Sequence, residues 1–240
     1  MQNEPKSVKS NKNNILMLAF FFVAVPVTLF LSWKYFERNY YVTSLLIIIY
    51  SMIPFFAMFE KRKPQARELV TIAVMCAIAV ASRAAFIWLP NFKPIFAIIM
   101  ITGIALGPQA GFLTGALSAL TSNFIFGQTP YTPWQMFAFG IAGFAAGQLY
   151  KMKLIKSDKK HLSIFGALFV FLIVGPILDT SALFMSASVI NKTYILSTYV
   201  AGIPINFSQS VATFLTLYLF SEPLLEKINR VKTKYGMMEG

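Results

Sequence analysis

The sequence predicts an all-α integral membrane protein of about eight transmembrane helices, and three observations carry that prediction. Of 240 residues, 57% are hydrophobic and 12% charged, where an ordinary soluble domain has about 45–50% and 25%. The apolar residues fall in runs near the roughly 20 that a helix needs to cross a hydrocarbon core of about 30 Å. The 21 Lys and Arg stand in short blocks between those runs, which suits loops touching anionic lipid rather than a nucleic-acid surface. A lipid bilayer is therefore the expected surrounding, and no nucleic-acid partner is expected.

The elements follow in order. A basic stretch, 1–14, leads into Ile15–Trp33; it opens like a signal peptide but lacks a small-residue cleavage end, so it reads as a retained helix. Tyr41–Phe59 and Glu68–Leu89 are the next two spans. From Pro94 to Phe126 the apolar run would be about 50 Å long as one helix, too long for a single crossing. It must fold back, and GPQAG at Gly107–Gly111 is the break, where Pro108 removes a backbone donor and the glycines permit a tight turn. Trp134–Tyr150, Leu162 to about Met185 and Leu196–Phe220 complete the set. The chain thus divides into a basic start (1–14), two added helices (15–59), a six-helix unit (67–221) and a basic tail (222–240).

Counting basic residues on alternate sides orients the bundle. With both termini in the cytoplasm, the inner segments hold 16 Lys and Arg and the outer ones four, Arg83 lying within a helix; the excess belongs inside. Within the polar stretch FGQTPYTPWQMFAFG, Phe126–Gly140, residues Gly127–Pro133 then fall on the outer side, where Pro130 and Pro133 favour an extended loop and Trp134 opens the next helix.

Polar groups at membrane depth are costly and point to function. Arg83 lies about 22 Å up the third span and Asp179 about 26 Å up the seventh, while Asn206 lies about 15 Å below the outer end of the last, with Gln209, Ser210 and Thr213 on its face. With Gln128, Tyr131, Trp134 and Gln135 these groups converge at one depth and would line an outward-facing pocket. Each has a plainer alternative: an Arg83–Asp179 ion pair or an outward-snorkelling Arg83, interhelical bonding by Asn206 and Gln209, and an interfacial aromatic belt for Tyr131 and Trp134. Ala73, Ala77, Ala81 and Ala85 repeat every four residues, a smooth stripe for another helix, inside this protein or outside it.

Absent motifs narrow the function. No GxxxxGK[ST] loop is present, so ATP hydrolysis would belong to another subunit. One His and one Cys exclude HExxH, CxxC and intrachain disulfide chemistry. With Asp179 the one deep carboxylate, an aspartyl protease is disfavoured. No catalytic residue, metal or cofactor is expected. A stand-alone carrier using Asp179 as its proton site stays open, without visible duplicated halves.

The Ala-striped helix, RAAFIWLPNFKP (83–94), ITGIALGPQAGFLTGALSALTSNFIFG (101–127) and TPYTPWQMFAFGIAGFAAGQLY (129–150) together resemble the substrate-specific S component of energy-coupling factor (ECF) vitamin transporters, over about Arg67–Phe220. That resemblance implies a subunit that captures a vitamin outside, joins a transmembrane coupling protein and two ATPases, and releases its cargo inside by toppling in the membrane. It assigns Ala73, Ala77 and Ala81 to the coupling protein. It puts the vitamin near the Leu89–Lys93 loop, with Asn91 and Lys93, and near Gln128–Gln135, Asp179 and Asn206. Within the family, TPYTPWQM most resembles cobalamin-associated members; a hydroxymethylpyrimidine, a pyridine vitamin or a folate would suit the same groups. The two added helices depart from the six-helix pattern.

Overall fold

The computed structural model describes residues 27, 40–186 and 190–236. The expected helix Ile15–Trp33, apart from Val27, lies outside the described residues. Seven helices follow, with no strand among the described residues: α1 (Tyr40–Lys61), α2 (Ala66–Ala85), α3 (Ile95–Leu106), α4 (Pro108–Phe126), α5 (Thr132–Lys151), α6 (Lys159–Ser186) and α7 (Lys192–Tyr235). Four of them, α1 from Val42, α2, α6 and α7, are long and apolar enough to cross a membrane.

At the centre stands α3, all twelve of its residues buried. At 1.5 Å per residue it is about 18 Å long, short of a full crossing. The expected break narrows to Gly107, whose φ of 98° is open to glycine and strained for other residues, and Pro108 starts α4 at once. Glycines then let three backbones meet. A Cβ on Gly103 would lie 2.0 Å from the Gly143 carbonyl oxygen, and one on Gly111 2.5 Å from that same atom, so α3, α4 and α5 pack at backbone contact. Phe96 and Phe139 meet edge to face above this junction, 4.6 Å between centroids.

Of the two added helices, α1 packs on α4 and α5. Phe55 stacks on Phe112 at 4.1 Å and meets Phe144 edge on, a small second core beside the main one.

Several boundaries differ from expectation for identifiable reasons. α2 stops at Ala85 rather than Leu89, because the backbone turns through Phe86–Pro94 to enter α3. α6 starts earlier, at Lys159, where Asp158 caps it by accepting from the His161 amide. It also contains a π turn, Val170–Val174, ahead of Gly175 and Pro176. The last helix does not end at Phe220. α7 runs 44 residues, about 66 Å, with Pro204 and Pro223 inside it, so the tail expected from 222 is helical to Tyr235. This extension is tied down by Lys159–Glu222 at 3.9 Å, by Lys232 Nζ donating to Ala105 O at 2.6 Å, and by Arg67 Nη1 donating to Tyr235 O at 2.9 Å.

Candidate functional site

The buried face of α2 runs Ile72, Met75, Cys76, Ala79, Val80, Arg83, at the three- and four-residue spacing of one helical side. That register carries Arg83 into the bundle, where it is 6% exposed. Its Nη1 donates to Ser122 Oγ and to Asn123 Oδ1 at 3.1 Å, and its guanidinium lies 4.2 Å from the Phe126 ring centroid. Hydrogen bonds and an aromatic face thus hold this charge. Asn123 passes the network on: Nδ2 donates to Thr132 Oγ1 at 2.9 Å and to Gln135 Oε1 at 2.7 Å. Thr132 Oγ1 donates to Gln128 Oε1 at 3.0 Å, and Gln128 Nε2 donates to Leu120 O at 2.9 Å. Gln128 and Gln135, drawn from the sequence as ligand groups, therefore fasten the start of α5 and the turn before it to α4.

A second cluster joins α6 to α7. Asn206 Nδ2 donates to Asp179 Oδ2 at 2.7 Å, so Asp179 is partnered by an amide and Arg83 by α4; the ion pair weighed between them does not form. Glycines on both helices make room: a Cβ on Gly202 would lie 2.4 Å from the Asp179 carboxylate, and one on Gly175 2.4 Å from Asn206 Cγ. The π turn just before Gly175 adds a residue to the register of α6 and so re-aims the Asp179 face. Tyr131 stands between the clusters. Its hydroxyl donates to Leu178 O at 3.3 Å.

Trp134 faces the inside of the bundle. It is 8% exposed and packs tilted against Phe184, 6.2 Å between ring centroids, with no hydrogen-bond partner for its indole N–H among the described residues. Gln209, 2% exposed, likewise leaves Oε1 without a partner, as Arg83 leaves Nε. Two donors and one acceptor are thus buried and open. On the Phe86–Pro94 turn, Asn91 adopts φ 61°, tolerated by its short polar side chain. Lys93 is half-buried beside it; burial, and after it the charge of Arg83, pulls its ammonium down to about 8.

The stripe Ala73, Ala77, Ala81 faces away from the core and is exposed, so packing within the described bundle does not consume it. Among the described residues no group of three His, Cys, Asp or Glu is placed to hold a metal, and His161 sits exposed against Asp158.

The comparisons with known proteins bear on this arrangement. A family model described as the S component of an ECF-type riboflavin transporter matches residues 63–225, about two thirds of the chain. The chain belongs to that S-component family. Searches of curated proteins and of solved structures return no match. As an ECF S component it is a vitamin-binding transporter subunit that works with an ECF module. The matched stretch contains both polar clusters and the alanine stripe, and it ends at Leu225, before the last turns of α7.

Residues missed from sequence were Asn123, Ser122, Gly175 and Gly202. The TSN triplet at Thr121–Asn123, polar near the end of an apolar run, was the available signal for the first two. No signal existed for the glycines, whose role is defined by the side chain on the facing helix.

Proposed function

We propose that this S component captures riboflavin at the clusters formed by Arg83, Tyr131, Trp134, Asp179, Asn206 and Gln209, with Lys93 at their edge. It then delivers the vitamin across the cell membrane with a coupling protein and two ATPases, as a multi-pass, non-catalytic subunit. The observations that carry this reading are three buried polar atoms open among the described residues, Arg83 Nε, Trp134 Nε1 and Gln209 Oε1, and the aromatic pair Trp134–Phe184. Leaving buried donors and acceptors unpaired costs about 1–3 kcal/mol each, a cost that a ligand with matching groups recovers. A flavin offers a flat ring for stacking, a carbonyl and N–H edge, and a hydroxylated chain. Cobalamin, suggested by the outer loop, would draw on side-chain amides, and Gln128 and Gln135 are already engaged. The family's printed substrate adds weight to the flavin.

The test is uptake of labelled riboflavin by cells that have no other route. Uptake should require co-expression of the coupling protein and hydrolysis-competent ATPases. Uptake without them, abolished by Asp179→Asn and by collapsing the proton gradient, would instead make the chain a proton-coupled carrier.

A further inference from the structure

A groove of about 570 Å³ opens between α2 and the α7 extension, at the end of the bundle that gathers the basic blocks. Its walls are Val70, Val74 and Ile78 on one side and Leu224 and Val231 on the other, and its charged lining residues are Arg67 and Lys227. Val70 and Val74 are 63% and 51% exposed. Among the described residues no carboxylate lines it. The nearby acids are spoken for: Glu68 pairs with Arg62, Glu226 with Arg230 and Glu222 with Lys159. Arg67 spends one donor on the Tyr235 carbonyl and, as a guanidinium, has four others.

We propose that this groove binds one anionic phospholipid of the adjacent leaflet, its phosphate against Arg67 and Lys227 and an acyl chain along the valine wall. Dimensions support it. From Arg67 to Ile78 the α2 wall rises about 16 Å, the depth of one leaflet's share of a roughly 30 Å hydrocarbon core. A charged rim over an apolar slot that deep matches a headgroup and a chain, and basic sites between transmembrane helices favour anionic headgroups. Positions 70, 74 and 78 form the ridge beside Ala73, Ala77 and Ala81 on the same helix, so the lipid would lie along the alanine stripe without covering it. A third of the groove's lining, Lys227, Ile228, Val231 and Tyr235, lies beyond the family match.

The experiment reconstitutes the full chain in vesicles of equal parts phosphatidylcholine and phosphatidylglycerol, extracts it, and reads co-purifying lipid by native mass spectrometry. The wild type should retain one phosphatidylglycerol. Lys227→Gln should reduce that retention about fivefold, the value of one basic residue at a membrane surface. Val74→Trp, which fills the slot without changing charge, should abolish it. Equal retention of both lipids, or a phosphatidylglycerol preference that survives Val74→Trp, would overturn the proposal. So would a slot closed to lipid that becomes protected from labelling when the coupling protein is added, since its occupant would then be a protein helix. None of these readouts uses the vitamin, so their failure leaves the riboflavin reading intact.

Discussion

Gly202→Ala is the smallest change that tests whether the Asp179–Asn206 pair belongs to a binding site. The added Cβ would stand 2.4 Å from both Asp179 carboxylate oxygens, about 1 Å inside the 3.4 Å at which ordinary van der Waals contact begins. Gly175 is just as tight against Asn206, so α6 and α7 have no slack on the other side of the pair, and the carboxylate must swing. A displacement of about 1 Å carries the 2.7 Å Asn206–Asp179 bond beyond hydrogen-bonding range. Misplacing such a pair costs about 1–3 kcal/mol. At 1.4 kcal/mol per tenfold in Kd, riboflavin affinity should fall about 5- to 140-fold. The assay is calorimetric titration of detergent-purified protein, with thermal unfolding alongside. Gly103→Ala is the control, because its methyl would land 2.0 Å from Gly143 O in the α3–α5 junction, away from both polar clusters. That variant should lose about 1–3 kcal/mol of stability by overpacking while what remains folded binds normally. An unchanged Kd in folded Gly202→Ala protein would refute the reasoning.

Other outcomes follow from the same geometry. Asn123→Ala leaves Arg83 and Gln135 short of a partner in the buried network and should cost about 2–3 kcal/mol in stability, read as a lowered unfolding midpoint. Ala77→Trp, on the exposed stripe, should block co-purification with the coupling protein and leave ligand titration unchanged; intact co-purification would remove the stripe from the partner surface. Lys93 gives a pH signature: its folded value is about 8, whereas an unfolded lysine keeps its proton to about 10.4. Between those values the unfolded chain binds more protons, so stability should rise from about pH 8 to 10, and Lys93→Met should flatten that rise.

What could be read from the sequence was what local chemistry dictates. Gly107–Pro108 forced a break because the dihedral and the missing donor are properties of those two residues. The 3.6-residue period showed which face of α2 carries Ala73, Ala77 and Ala81, though not that this face is exposed. Arg83 and Asp179 were visible as costly groups, but their partners were not: Asn123 and Asn206 are chosen by helix packing and by a π turn that shifts the register of α6. Trp134 illustrates the limit. Its place after two prolines suggested the opening of a helix, with an interfacial-belt aromatic as the plainer alternative, while the start of α5 at Thr132 turns it inward against Phe184. The continuation of α7 to Tyr235 was masked by Pro223 and a basic composition, which read as a tail until Lys232 and Tyr235 are seen bonded to α3 and α2.

The central claim, that this chain alone holds a flavin in its outer polar clusters, is tested most directly by titrating riboflavin into the purified chain without any partner subunit, with cobalamin titrated in parallel. Saturable one-to-one binding of riboflavin, weakened by Trp134→Ala together with Asn206→Ala, is the expected result. Folded protein that gives no heat with riboflavin and binds cobalamin instead would contradict it.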